Sequence, residues 1–343
     1  MGSTTAATPD LPGYRKLIIH LQSTIPQPET RTSLITSVIP SLLHSIVQIA
    51  QILRDSHTIS AHGTANSFGD DQLNVDVLSE NAIRDAISKH CPSIITASSE
   101  EHPVEIPVHT TTASPSSPEE EQYTIAFDPL DGSSIIPSNW TVGTIIGLWD
   151  GPSALNQSPA TKQIVSLLGV YGPRTTAILA IRLPGTPTGI CMELALSGSE
   201  WLISNPSLSL SLPTNAKYFS PANLRAASSY PAYSSLITSY IQGEYTLRYS
   251  GGLVPDLVHA LVKGNGIYLS PVTPSHKAKL RRLYELCPVA LVIECAGGKA
   301  VDEKDGSAIL DSVIKGEDER GGIVCGTKEE VERAVGVLLG VGL

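Results

Sequence analysis

Clustered positive charge is what this chain most clearly lacks. Its 23 Lys and Arg residues stand against 33 Asp and Glu, for a formal net charge of −10. None of the basic residues forms a long run, so a nucleic-acid backbone would find no cationic track, and a nucleic-acid partner is not expected. A small anionic ligand is compatible with this balance, because a few local cations or a metal ion can reverse the field inside one cleft. Long apolar runs are missing too: none reaches the roughly 18 residues a membrane span needs, so no membrane partner is expected. The N-terminal MGSTTAATPDLPGY has neither the charged segment and apolar core of a secretory signal nor an Arg-rich amphipathic start. MGSTTA also lacks the final Ser or Thr of a myristoylation signal. The five cysteines, Cys91, Cys191, Cys287, Cys295 and Cys325, show no CxxC spacing, which fits buried thiols in a reducing compartment. A soluble, cytoplasmic protein is the expectation.

What the chain has is length and periodicity. With 343 residues and 41% hydrophobic content it can bury a large core and form two lobes. LPGYRKLIIHLQ and RTSLITSVIPSLLHSIVQIAQILRD carry apolar residues three and four apart, which predicts helices, with a kink at Pro40. DQLNVDVLSENAIRDAISKHCP leads into another amphipathic helix, with Asp76 and Glu80 near its start. The apolar run SIITASSEE follows, and then a Pro-, Ser-, Thr- and Glu-rich excursion, HPVEIPVHTTTASPSSPEEEQ, that cannot build a core. YTIAFDPL and TVGTIIGLWD read as strands. Between about Lys162 and Leu202, IVSLLGVYG, TTAILAIRL and TGICMELAL read as further strands that open a second sheet. GLVPDLVHALVKG returns to helical spacing, and HKAKLRRLYELCPVALVIECAGG predicts a helix closed by paired glycines. There is no internal repeat. Sheets alternating with helical layers define an α/β class with a cleft between two lobes.

The chemistry concentrates at strand ends. SSEE places Glu100 and Glu101 after one apolar run, and some 27 residues later AFDPLDGSS places Asp128 and Asp131 at the end of another. If those strands are neighbours, four carboxylates converge, and such a cluster needs protons or cations to neutralise it. Hard oxygen donors of this kind suit Mg²⁺ or Mn²⁺. Gly132, Ser133 and Ser134 add amides and hydroxyls that can bind phosphate oxygens, with Gly132 allowing close approach. Taken alone, DPLDG also reads as a solvated turn and SEE as a charged surface. Their joint occurrence at strand ends, where open α/β sheets bind ligands, favours a metal- and phosphate-binding site. His62, His102 and His276 lack zinc-like spacing and take no ligand role.

SEE, FDPLDGSS, RYSGGLVPD and KLRRLYE, in that order, resemble the fructose-1,6-bisphosphatase and sedoheptulose-1,7-bisphosphatase family, relatives of the inositol monophosphatases, over about Asn66 to Thr327. NSFGDDQLNVDVL, VYGPRTT, FSPANLRA, YTLRYSGG and KAKLRRLYE look most like the sedoheptulose branch. The resemblance implies a layered α/β/α/β/α sugar-phosphatase fold, with a metal- and phosphate-binding lobe over 1–205 and a sugar-phosphate-binding lobe over 206–343. It implies metal ligation by Glu100, Asp128, Asp131, Glu285 and the main-chain carbonyl of Leu130. Glu101 and Asp76, with Asp70 close by, would orient and deprotonate the attacking water. The scissile 1-phosphate would rest on Gly132, Ser133 and Ser134 with charge from Arg281, and the distal phosphate on Asn223, Tyr249 and Lys279. Arg248 would reach into a neighbouring subunit, which implies a homo-oligomer, a dimer or tetramer. On the residues alone, Glu285 also reads as an ion-pair partner of Arg281 one helical turn away, Arg248 as a strand-edge charge and Tyr249 as a core aromatic.

Three departures bear on this reading. SAHGTANSFGD has none of the cysteines that chloroplast sedoheptulose enzymes carry there, so light-linked redox control is not expected. Pro137 stands where relatives have an Asp after the GSS turn. Ser270 stands where many fructose enzymes have a tyrosine, leaving room for a longer sugar. The function these features predict is Mg²⁺-dependent release of the 1-phosphate of sedoheptulose 1,7-bisphosphate. A fructose 1,6-bisphosphatase, a dual-specificity enzyme and a non-catalytic sugar-phosphate sensor are the alternatives.

Overall fold

The computed structural model describes residues 12–65, 71–109, 121–186, 188–210 and 217–340. A short antiparallel pair comes first, β1 (Ala61–Ala65) with β2 (Asp71–Leu73). A large sheet follows, made of β3 (Ile94–Ser99), β4 (Ile106–Pro107), β5 (Tyr123–Asp131), β6 (Val142–Asp150), β7 (Gln163–Tyr171), β8 (Thr175–Ile181), β9 (Ile190–Ser197) and β10 (Glu200–Asn205). Its spatial order is β10-β9-β8-β7-β6-β5-β3-β4. Neighbours are antiparallel except β3 and β5, which run parallel. The expectation that β7 to β9 begin a second sheet is corrected: β7 pairs with β6 from Tyr171↔Val142 to Gln163↔Trp149 and so extends the first. The second sheet lies wholly downstream, with β11 (Tyr218–Pro221), β12 (Thr246–Leu247), β13 (Ile267–Ser270), β14 (Lys299–Val301) and β15 (Ile323–Gly326) in the order β12-β11-β13-β15-β14.

Helices fill the spaces that apolar strand faces leave. α1 (Arg15–Thr24), α2 (Ile39–Asp55) and α3 (Asn74–His90) cover one face of the large sheet, burying Leu17, Leu42, Ile46 and Ile83 against Ile125, Phe127 and Leu167. α4 (Pro159–Lys162) is a single turn, and α5 (Pro231–Gln242) covers the outer face of the second sheet. α6 (Leu253–Lys263) and α7 (Cys287–Cys295) lie between the two sheets, and α8 (Lys328–Leu339) joins α5 on the outside. The result is the expected α/β/α/β/α layering. The central strands of the large sheet are therefore buried on both faces; β5, β7 and β8 are buried at every position and show no polar alternation.

Two π-helical turns depart from the simple helical reading. Leu34–Val38 and Arg282–Leu286 each widen the chain immediately before α2 and α7, whose second residues are Pro40 and Pro288. A proline inside a regular helix lacks its N–H and presses its ring against the preceding turn, and the wider turn accommodates both defects. The kink expected at Pro40 takes this form. The segment His276–Arg281, expected to begin the last core helix, is not helical. The stretch Leu34–Asp55 has mean hydropathy 1.4 over its most apolar window and is long enough to cross a bilayer. That corrects the sequence reading of no such run; 61% of the window is buried inside the fold, as suits a core helix. All five cysteines are free thiols.

Candidate active site

In a regular strand, residues three apart face opposite sides, so Asp128 and Asp131 would point away from each other. The register is Asp128↔Ile145 and then Asp131↔Gly143, three steps on β5 against two on β6. This one-residue bulge turns both carboxylates to the same side. Pro129, which has no N–H to give the ladder, sits inside it. Thr144 Oγ1 donates to the Pro129 carbonyl at 2.8 Å and contacts the Tyr171 hydroxyl at 2.6 Å, bracing the bulge from β6 and β7. Glu285 arrives from the π-helical turn before α7, its Oε2 accepting from the Arg281 N–H at 2.6 Å. Asp128, Asp131 and Glu285 each offer an oxygen within 4.8 Å of the others, and all three residues are buried. Because β3 runs parallel to β5, Glu100 comes level with the bulge, its N–H donating to the Phe127 carbonyl at 3.0 Å.

The first turn of α6 holds Asp131 in place. The Leu253 and Val254 N–H groups donate to its two oxygens at 3.1 and 2.7 Å, so a helix N-terminus supports this carboxylate. The close approach depends on Gly143 of β6, where a Cβ would fall within the Val254 side chain. Asp256, buried at 5% exposure, accepts from the Ser250 N–H at 2.7 Å and the Gly251 N–H at 3.3 Å and fixes the turn that aims α6. Sequence reasoning missed this residue although it lies inside the quoted motif RYSGGLVPD. Gly143→Ala is expected to cost about 1–3 kcal/mol of stability by overpacking and to lower turnover, because α6 must retreat from Asp131. Thermal unfolding and phosphate release check this together, and a variant unchanged in both would show that the contact does not position the carboxylate.

Burial and mutual repulsion shape the titration. Asp131 is pushed up to about 7, first by burial and then by Glu100 and Asp256, against the two α6 amides. Asp76 is pushed up to about 6 by burial and by Glu100, against its hydrogen bonds from Leu73 and Ser133. Asp128 and Glu285 rise well above the usual carboxylate range, from burial first and then from Glu100 and the other acids of the cluster. Near neutral pH Asp128 and Glu285 hold protons or a cation. Hard, convergent, anionic oxygens fit a divalent ion of the Mg²⁺ or Mn²⁺ kind.

Beside this cluster lies the turn expected to cradle phosphate. Gly132 takes the left-handed conformation (φ 93°) and starts the 3₁₀ turn Ser133–Ser138, which Pro137 does not disrupt; Ile135 N–H closes onto the Gly132 carbonyl at 2.9 Å. Ser133 Oγ lies 3.0 Å from both Asp76 Oδ1 and the Leu130 carbonyl, linking cradle, α3 and bulge. Asp76 Oδ2 also accepts from the Leu73 N–H at 2.9 Å. Ser134 is exposed. Glu101 is half-buried next to Glu100, and Asp70 lies outside the described residues. Buried Glu80, which sequence reasoning left without a role, receives Ser99 Oγ at 2.9 Å, His102 Nδ1 at 3.2 Å and Arg84, fixing the end of β3.

Arg281, expected to add charge at the scissile phosphate, has no exposed surface. Its Nη1 donates to the Glu100 carbonyl at 3.1 Å, and its Nε lies 3.7 Å from the Glu100 carboxylate and 3.9 Å from that of Asp318. The residues expected to take the distal phosphate follow three strands at one edge of the second sheet. β12, β11 and β13 are parallel, so the segments after them, with Tyr249, Asn223 and Lys279, emerge together. Asn223 Nδ2 donates to the carbonyls of Pro271 at 2.7 Å and His276 at 3.4 Å, and its amide therefore joins two of these segments. Tyr249 and Lys279 are exposed. Arg248 lies over the Tyr218 ring, 5.7 Å from its centroid.

A buried acidic cluster beside a turn rich in amides and hydroxyls defines a metal-dependent phosphatase. The family model for the fructose-1,6-bisphosphatase N-terminal domain matches residues 15–198, and that for the C-terminal domain matches 212–338. The chain belongs to the fructose-1,6-bisphosphatase family. Among curated relatives, the chloroplastic sedoheptulose-1,7-bisphosphatase of Triticum aestivum is 40% identical over 288 residues, covering 82% of this chain and 68% of the relative. The class 1 fructose-1,6-bisphosphatase of Syntrophotalea carbinolica is 33% identical over 306 residues, covering 85% and 88%. A crystal structure from Toxoplasma gondii, provisionally assigned as a sedoheptulose-1,7 bisphosphatase, superposes with a TM-score of 0.81 at 31% identity, covering 95% of this chain and 98% of that one. Holo fructose-1,6-bisphosphatase of Leishmania major gives 0.77 at 25% identity, covering 94% and 98%.

Proposed function

We propose that the protein is a Mg²⁺-dependent phosphatase that removes the 1-phosphate of sedoheptulose 1,7-bisphosphate, releasing sedoheptulose 7-phosphate and orthophosphate. The observation that carries the reading is the bulge in β5, which sets Asp128 and Asp131 against Glu285 in a buried, mutually repelling group. Glu100, Asp128, Asp131, Glu285 and the Leu130 carbonyl are the ligands in this reading. The ion, Mg²⁺ or Mn²⁺, supplies charge neutralisation at the phosphoryl group and acidifies water.

The chain's own residues do the rest. Gly132, Ser133 and Ser134 bind the oxygens of the transferred phosphate, and Arg281 holds Glu100 in place. Asp76, tied to Ser133 and raised to about 6, takes a proton from the attacking water at a carboxylate oxygen, with Glu101 and Asp70 orienting it. Asn223, Tyr249 and Lys279 receive the distal phosphate, and Arg248 serves a neighbouring subunit of a cytoplasmic homo-oligomer, dimer or tetramer. Most of the rate enhancement in such a site comes from positioning and charge neutralisation.

Preference for the seven-carbon substrate rests on the 40% identity to the wheat sedoheptulose enzyme and on half-buried Ser270 at the end of β13, which leaves room beside the distal edge. Phosphate release measured with both ketose bisphosphates tests it. A higher kcat/KM for sedoheptulose 1,7-bisphosphate is expected; a preference for fructose 1,6-bisphosphate reverses the assignment. Absence of Mg²⁺-dependent release from either, with retained sugar-phosphate binding, would leave a sensor.

A further inference from the structure

We propose that Arg225 is a specificity-determining residue that clamps the distal phosphate of the sugar bisphosphate from the protein's own subunit. The inference rests on the substrate reading above and extends it to a residue outside the predicted set.

Arg225 follows Asn223 by two positions on the 3₁₀ turn Leu224–Ser228, which leaves the C-terminal end of β11. Ligands of α/β sheets gather at such strand ends, and here three parallel strands, β12, β11 and β13, end at one edge. The turn is held from two sides. Tyr233 donates its hydroxyl to the Ala222 carbonyl at 3.0 Å, and Asn223 donates to Pro271 and His276 in the segment that leads to Lys279. Asn223 itself takes the left-handed conformation, φ 49° and ψ 38°, which sets the direction of the residues after it.

On that fixed turn the Arg225 side chain is exposed and makes no hydrogen bond or ion pair among the described residues. Its charge reaches the Tyr249 hydroxyl, where it opposes the upward push of burial and of Asp256. The other arginine of the edge is engaged elsewhere: Arg248 lies over Tyr218, donates Nη1 to the Leu247 carbonyl at 2.8 Å, and its own carbonyl accepts from Ser220. Tyr218 in turn packs against His259 of α6, ring centroids 4.8 Å apart. Arg225 is thus the uncommitted guanidinium among the described residues of this edge. In a chain of net charge −10, an exposed planar guanidinium whose charge acts on the Tyr249 hydroxyl matches a terminal phosphate dianion, which it can grip through two parallel N–H donors.

Kinetics of Arg225→Ala and Arg225→Lys in the full-length enzyme test this, with sedoheptulose 1,7-bisphosphate, fructose 1,6-bisphosphate and fructose 1-phosphate as substrates. Arg225→Ala is expected to raise KM for the seven-carbon bisphosphate about 10- to 100-fold, the loss of a charge-assisted phosphate contact, with kcat nearly unchanged. Arg225→Lys should recover part of that, and fructose 1-phosphate, which has no distal phosphate, should respond to neither change. Competitive inhibition by sedoheptulose 7-phosphate should weaken in parallel. An unchanged KM for both bisphosphates in Arg225→Ala, or an equal loss with fructose 1-phosphate, overturns the role of Arg225 while the substrate reading stands. Wild-type enzyme that hydrolyses neither bisphosphate overturns both.

Discussion

Asp128→Asn is expected to lower Mg²⁺-dependent phosphate release by at least about a thousandfold and, in chelator, to raise the melting temperature. The two effects have one origin. Asn is nearly isosteric and its carbonyl oxygen can still accept the Leu130 N–H that Asp128 Oδ1 receives at 2.9 Å, so the bulge keeps its shape. What disappears is a charge in the middle of a crowded acid group, where Asp128 is fully enclosed and faces Glu100, Glu285 and Asp131. Without a cation that charge is unfavourable, and its removal relieves repulsion; with a cation it is a ligand, and its removal abolishes the stabilisation that binding confers. The expected signature is therefore a variant more stable than wild type in chelator and less responsive to added Mg²⁺. Near-normal turnover would sink the assignment. A loss of turnover accompanied by lower stability in chelator and an undiminished Mg²⁺ shift would mean that Asp128 matters only for packing.

That pairing of effects was not readable from residue spacing, and the reason is geometric. AFDPLDGSS and SSEE announce acids at strand ends, and the parallel pairing of β3 with β5 does bring them level. Three-residue spacing within a strand, however, predicts opposite faces, and only the register across β6 reveals the bulge that reverses this for Asp131. Pairing partners are invisible to periodicity in the same way. β7 to β9 read correctly as strands from their apolar runs and turn residues, yet nothing local says whether a strand extends an existing sheet or starts another. Arg281 shows the limit of spacing: its position four residues before Glu285 also read as an ion pair on a solvated helix, whereas the fold buries it completely, with Nη1 on the Glu100 carbonyl. Asp256 and Glu80 were hidden because their roles are to accept hydrogen bonds from a turn and from a strand end, which leaves no pattern in the acids themselves.

Stripping divalent cations is expected to make stability fall as pH rises from about 4 to about 7, the reverse of what salt-bridged carboxylates produce. The direction follows from proton counting. Asp131 rises from 3.8 to about 7 and Asp76 from 3.8 to about 6 on folding, so between those values the folded state holds protons that the unfolded state has released. Stability then decreases with each increment of pH in that interval, is fully retained below the unfolded values and levels off above the folded ones. In chelator, the melting temperature at pH 8 should lie about 5–10 °C below that at pH 5.5. Added Mg²⁺ should restore most of this at pH 8 and little at pH 5.5, because ligands must lose their protons before they bind. Calorimetric titration in two buffers of different ionisation enthalpy should show proton release at pH 6.5 that diminishes by pH 8. A melting temperature in chelator that is flat from pH 5.5 to 8, or a Mg²⁺ shift equal at both, would mean that the buried acids are already neutralised within the protein and that the cluster was not built around a cation.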